Sequence, residues 1–231
     1  MTQSVPETPE GERPRGRLAR MPRVVTGLLL AIVAAHAATL FIGRDGQLAL
    51  IDWLAVNPAL IAAHLDVGDV GAAAAPMVGH AFLHAGWLHL FFNCMLILQT
   101  GETAAERYGR DLAGAGRFLL LFAVSAVVGA LTYIAINPQS NVPAVGASGA
   151  ACGLFAAYLL SLRRTTREAV ADRGVQQMAF YFLLINVGLA AAARVFGVLP
   201  IAWEAHLGGF IAGALLHPFL ARRAGPVGPW G

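Results

Sequence analysis

Six apolar runs divide this chain, and its basic residues fall almost entirely at alternate junctions between them. The runs are Val24 to Ile42, Leu88 to about Ala105, Phe118 to Ile136, Ser148 to Leu162, Val175 to Ala193, and about Ala202 to Ala221. Such runs read as membrane spans, and in hydrocarbon each span must satisfy its own backbone hydrogen bonds, which dictates helices. Some are shorter than the ~20 residues of a free-standing span, as is tolerable where a helix begins within protein. The expected fold is all-α: six transmembrane helices with a long first loop. Composition agrees. The chain is 57% hydrophobic and 13% charged, whereas a soluble domain carries about 25% charged residues.

The arginines set the orientation. All sixteen basic residues are arginine, and fourteen lie on one side of the six runs. Arg13, Arg15, Arg17, Arg20 and Arg23 precede the first run, and Arg107, Arg110 and Arg117 follow the second. Arg163, Arg164, Arg167 and Arg173 follow the fourth, and Arg222 and Arg223 the sixth. Only Arg44 and Arg194 fall on the other side. By the positive-inside rule both termini are cytoplasmic, so runs two, four and six enter from the outer face. The net charge of +3 is therefore a topology signal, and no nucleic-acid partner is implied. Abundant alanine and arginine without lysine suit a GC-rich bacterial genome, hence a multi-pass protein of the bacterial inner (plasma) membrane.

Residues 1–21, rich in Pro, Glu, Gly and Arg, read as a disordered cytoplasmic tail, 22–223 as the membrane domain, and 224–231 as a short C-terminal tail. Ala35-His36-Ala37 resembles a signal-peptidase site, but the apolar run continues past it, which favours a retained span. Gly43 to Gly79 is only mildly apolar and carries Asp45, Asp52, Asp66 and Asp69. With Trp53, Leu54, Leu60 and Ile61 it reads as amphipathic pieces lying in the membrane interface. Cys94 and Cys152 lie inside apolar runs and read as small buried hydrophobes, not a disulfide.

The polar residues inside the runs carry the chemistry. The second run opens with His84, His89 and Asn93, the fourth with Ser148, and the sixth with His206. All fall in first turns of helices entering from the same side. Polar groups at that depth are costly and normally face a cavity or one another. His89 and Asn93 are four apart, so they share a helix face. Gly149 and Gly153 follow Ser148, and Gly209 and Gly213 follow His206. Two such glycine-spaced faces in contact would bring His206 to Ser148. A neutral imidazole could then take the Ser148 proton as its oxygen attacks a carbonyl. His89, Asn93 and the N–H of Ser148 are the candidate oxyanion donors. Glu204 would point elsewhere on its helix, so the expectation is a Ser–His dyad.

His80, His84 and His89 could alternatively hold zinc, but no acidic or thiolate ligand joins them. His36, His64 and His217 read as structural or interfacial. No metal and no cofactor are expected.

Three motifs together, His80-x-x-x-His84-x-x-x-x-His89-x-x-x-Asn93, Gly146-Ala147-Ser148-Gly149 and Ala205-His206-x-x-Gly209-x-x-x-Gly213, resemble the rhomboid intramembrane serine proteases. The resemblance covers about Met21 to Arg223. It implies a six-helix bundle with a water-filled cavity open to the outside. It implies Ser148 as nucleophile, His206 as base, and His89, Asn93 and the Ser148 backbone as the oxyanion site. It implies that the substrates are transmembrane segments of other proteins, cut near the outer face where helix-breaking residues expose backbone. Glu106, Arg107 and Gly109 resemble the family's structural Glu-Arg-x-Gly pattern. The fifth run, with Phe180, Phe182 and the loop at Phe196, would be the gate. Two positions depart from the family: Ala75-Pro76 stands where it has Trp-Arg, and Cys152 where it usually has an aromatic against the histidine. Competing readings are a catalytically silent relative that binds transmembrane clients and, less favoured, a small metal or solute transporter. Oligomeric state is not set by the sequence.

Overall fold

The computed structural model describes residues 21–197 and 201–222. The two expected tails, apart from Met21, lie outside the described residues, as do Arg13, Arg15, Arg17, Arg20 and Arg223. Among the described residues the chain is helical, with one isolated β-bridge, Val56 to Ala144. The helices are α1 (Arg23–Thr39), α2 (Gly43–Leu54), α3 (Pro58–Asp66), α4 (Val70–Ala74), α5 (Pro76–Gly79), α6 (Trp87–Tyr108), α7 (Leu112–Ile136), α8 (Ser148–Ser161), α9 (Thr166–Ala171), α10 (Arg173–Phe196) and α11 (Trp203–Leu220).

Each apolar run forms one helix: α1, α6, α7, α8, α10 and α11. By length and composition, α7 and α10 are long and apolar enough to cross a membrane. A third span is obtained if residues 70–82 and α6, bent by 82° at their junction, count as one. The remaining runs fall short for visible reasons. α1 has 17 residues and α8 has 14, and α11 carries Glu204, His206 and His217.

Capping residues set the helix ends. Asp111 accepts from the Gly114 N–H at 2.8 Å, which starts α7 six residues before the apolar run begins. Asp172 accepts from the Val175 N–H at 3.0 Å at the start of α10. Both satisfy amides that have no partner within the helix. Gly109 (φ +105°) and Gly197 (φ +66°) end α6 and α10 in a backbone conformation open mainly to glycine.

The two caps carry a pH prediction. The Gly114 N–H, and next the Arg222 guanidinium, hold the Asp111 carboxyl below the usual carboxylate range. The Val175 N–H, and next Arg163, do the same for Asp172. A carboxylate with a depressed pKa stabilises the fold above its unfolded pKa and loses that contribution as pH falls through the folded one. The thermal midpoint in detergent is therefore expected to drop as pH falls below about 4. In the double variant Asp111→Asn, Asp172→Asn the acid slope should be shallower, as read by melting at stepped pH.

The centre is α7, α8 and α11, packed through small residues. α8 buries ten of its fourteen residues, among them Gly149, Ala150, Ala151, Gly153, Ala156 and Ala157. A Cβ on Gly209 would lie 1.9 Å from the Gly149 carbonyl oxygen, and one on Gly213 would lie 2.2 Å from that of Gly153. A Cβ on Gly129 of α7 would lie 2.8 Å from the Ala205 oxygen. In lipid, where apolar burial drives little association, backbone approach of this kind supplies packing by dispersion. Val25, Leu28, Ile32 and His36 form the buried stripe of α1, and Val25 meets Gly101 of α6.

Residues 43–79 form short helices, none long enough to span. α2 buries no residue and leaves Leu48 and Trp53 exposed. The loop is tied to the 137–147 connection by the paired Val56 and Ala144 N–H···O bonds, each 3.0 Å. α10 stands apart: of its 24 residues only Val175 and Ala193 are buried.

Candidate active site

The backbone contact of α8 with α11 sets the positions of two side chains. Gly149 and Gly209 let the helices touch at the level of their first turns, and a Cβ on Gly149 would sit 3.2 Å from the Ala205 oxygen. The residues beside those contacts are Ser148 and His206. Ser148 Oγ lies 2.7 Å from His206 Nε2 across 58 positions of sequence. Both are half-buried, so the pair is reachable.

Ser148 is the first residue of α8, and the N-cap, Ala147, supplies no side-chain acceptor. The first helical bond to close there is Ala151 N–H to the Ala147 oxygen, at 2.8 Å. The preceding amides, that of Ser148 among them, point out of the helix end with the positive pole of its dipole. Gly146, two residues earlier, has φ +114°. A Cβ on it would strike His89 Cε1 at 2.6 Å and Nε2 at 2.8 Å, and would approach Asn93 Nδ2 to 3.7 Å. His89 and Asn93 of α6 are thus both brought against the strand-like turn that leads into Ser148. Asn93 Nδ2 donates to the His89 carbonyl at 2.8 Å, and Asn93 Oδ1 is buried without a partner.

The other ring nitrogen of His206 has a partner that the sequence reading missed. Nδ1 lies 2.6 Å from Oδ1 of Asn186, in the middle of α10. Glu204 is directed away from the site, as expected from its position, and its Oε1 accepts from Asn137 Nδ2 at 3.1 Å. Cys152 is buried within α8. The signal for Asn186 was present: an amide inside an apolar run is costly and marks a partner or a cavity.

The family model for the Rhomboid domain matches residues 73–223 of this chain. The chain belongs to the rhomboid family. Among curated relatives, the Rhomboid protease GluP of Bacillus subtilis is 33% identical over 131 residues, 57% of this chain. The RHOMBOID-like protein 5 of Arabidopsis thaliana is 30% identical over 141 residues, 61% of this chain. The Rhomboid-like protease 3 of Toxoplasma gondii is 29% identical over 157 residues, 64% of this chain. The matched stretches span 23%, 42% and 55% of those proteins' own length. Family and apolar helices together make this rhomboid protein an integral membrane protein.

Other sequence-marked residues serve the rhomboid scaffold. Arg107 donates from Nη2 to the Ser161 carbonyl at 3.1 Å and also to that of Arg163, joining α6 to the end of α8. Its own carbonyl accepts from the Arg222 N–H at 3.0 Å. A Cβ on Gly109 would meet the Arg222 guanidinium at 2.5 Å. Glu106 pairs with Arg110 at 2.7 Å. His217 Nδ1 is bonded to the Tyr108 hydroxyl at 2.9 Å in the buried core. Ala75 and Pro76 join α4 to α5, and the Pro76 carbonyl is 2.7 Å from His80 Nδ1. His36 meets His84 edge to face with ring centroids 6.1 Å apart, and His84 lies tilted against His89 at 5.3 Å. Among the described residues no three His, Cys, Asp or Glu side chains converge as metal ligands.

The residues marked as a gate divide between two faces of α10. Phe182 stacks inward on Phe155 of α8 at 4.3 Å and on Phe210 of α11 at 5.7 Å. Phe180 and Phe196 are exposed outward. Val198, Leu199 and Pro200, in the loop that follows, lie outside the described residues.

Proposed function

We propose that this rhomboid protein is an intramembrane serine endopeptidase that cuts transmembrane segments of other membrane proteins near the outer face. The observation that carries the reading is the 2.7 Å contact of Ser148 Oγ with His206 Nε2 at an uncapped helix start. In this mechanism Nε2 takes the proton of Ser148 Oγ as that oxygen attacks the scissile carbonyl. The oxyanion is met by the N–H of Ser148, Asn93 Nδ2 and a ring N–H of His89. The imidazolium then protonates the leaving amine, and water drawn through the same base hydrolyses the acyl-serine. The reaction needs no metal or cofactor.

The bundle that suits this chemistry has α1, α6, α7, α8, α10 and α11 as six spans, with both termini cytoplasmic and a wet cavity open to the outside. α8 begins inside the protein, which is why 14 residues suffice there. The arginine cluster around Arg107, Arg163 and Arg222 lies at the cytoplasmic end. A substrate helix must unwind locally to offer its backbone to Ser148, so helix-breaking residues favour cleavage.

The test is reconstitution in liposomes with a transmembrane reporter, following cleavage. Asn93→Ala is expected to reduce kcat about 10- to 100-fold, less than loss of the serine, because His89 and the backbone remain as donors. Wild-type kcat in that variant would remove Asn93 from the mechanism. A wild-type protein that binds the reporter and never cuts it would favour the silent client-binding relative instead.

A further inference from the structure

The imidazole has two jobs in the mechanism above, and they impose a tautomer. To accept a proton from Ser148, Nε2 must carry a lone pair, so the ring proton must sit on Nδ1. Nδ1 faces Asn186 at 2.6 Å. The amide there is not free to present either end. Asn186 Nδ2 donates to the Phe182 carbonyl at 2.8 Å, and a carbonyl only accepts. The nitrogen of the amide is thereby fixed toward Phe182, and Oδ1 is left for His206. Oδ1 has no proton to give, so the contact exists only with Nδ1–H as donor. The chain Phe182 carbonyl, Asn186 amide, His206 imidazole and Ser148 hydroxyl thus runs in a single donor direction.

Accepting the protease reading, on which this step rests, we infer that Asn186 is the positioning residue for His206: it fixes the Nδ1–H tautomer and holds Nε2 toward Ser148. It acts through the histidine and touches no substrate, so it is not itself catalytic. An asparagine here is not a product of core packing. Asn186 is half-buried on a helix that buries only Val175 and Ala193, flanked by the exposed Ile185 and Val187. It also comes from α10, which the Phe182 stack holds against α8 and α11 one turn away. The base is therefore assembled from two helices: α11 gives the ring and α10 gives its orientation. Around the ring, Ser148 of α8 and Asn186 of α10 are uncharged. The titratable side chains nearest in the fold are His89 of α6, set against the Gly146 turn, and Glu204 of α11, bonded to Asn137.

The test uses the full chain in liposomes with two substitutions and two readouts. Asn186→Ala is expected to lower kcat roughly 10- to 100-fold with little change in KM, as a misaligned group does. Asn186→Asp keeps an acceptor at Nδ1 and adds a negative charge that favours imidazolium. It should recover most of kcat and move the acid limb of the pH–rate profile to higher pH. A side chain without contact to the ring would not move that limb, and the tautomer readout below separates positioning from mere proximity. Equal loss in both variants with an unmoved acid limb overturns the inference, as does wild-type kcat in Asn186→Ala. The second readout needs no turnover: 15N shifts of histidine-labelled protein, assigned with a His206→Gln control. Wild-type His206 is expected as the Nδ1–H tautomer, and Asn186→Ala as a mixture. An Nε2–H ring in the wild type overturns the inference even if cleavage is observed. The Nδ1–H form in a protein that never cleaves keeps the inference and ends the protease reading.

Discussion

Ser148→Ala is expected to abolish cleavage of a transmembrane reporter while leaving the helical fold intact, and His206→Ala to do the same. The loss in kcat should be on the order of 10⁴ to 10⁶, since nucleophile and base act as one unit and removing either removes the chemical route. The Ser148→Ala change deletes a single half-buried oxygen that is hydrogen-bonded to His206. Its cost to the fold is a fraction of a typical core substitution. His206→Ala removes two side-chain bonds, to Ser148 and to Asn186. The double variant should be no worse than either single one, because the residual rate no longer passes through this pair. Thermal unfolding in detergent, run beside the cleavage assay, separates lost chemistry from lost structure. Activity that survives Ser148→Ala would move the nucleophile elsewhere.

A large effect on stability is expected at Gly209. A Cβ there would stand 1.9 Å from the backbone oxygen of Gly149 and 2.6 Å from its carbonyl carbon. Backbone cannot swing aside as a flexible side chain can, so α8 and α11 must separate. Overpacking of this kind costs about 1–3 kcal/mol, occasionally more, and a contact on backbone belongs at the upper end. Gly209→Val is therefore expected to lower the thermal midpoint strongly and to lose activity together with it. The same separation carries His206 away from Ser148, so the activity loss should exceed what the unfolded fraction explains. Gly188→Val is the control. It lies on α10 with nothing within 4 Å of an added Cβ and should change neither property much. A Gly209→Val protein with wild-type melting and cleavage would contradict this account of the interface.

Much of this arrangement was legible in the residues, for reasons that can be named. The six helices follow from apolar runs alone, because composition over fifteen or more residues outweighs local detail. Ser148, His206, His89 and Asn93 stood out because polar groups amid apolar residues are costly and seek one another. The glycine spacings pointed to the close helix pair. Boundaries were less legible: α7 begins at Leu112, ahead of Phe118, because Asp111 caps it through a single oxygen. α10 likewise runs from Arg173 to Phe196, between the Asp172 cap and the left-handed Gly197. Apolarity alone does not register such caps. Asn186 was missed for a different reason. Its partner lies 20 positions away on another helix, and nothing in a one-dimensional pattern says which face of α10 meets α11. The short apolar runs are legible as helices, but α8 and α11 are held by packing against protein, which length and composition do not record.

The central claim, that Ser148 is made nucleophilic by His206, is tested most directly by a fluorophosphonate probe followed by peptide mapping of the labelled protein. The expected result is one adduct, on Ser148 Oγ, that is lost in Ser148→Ala and strongly slowed in His206→Ala. An adduct on another residue, or labelling of Ser148 at the same rate without His206, would contradict it.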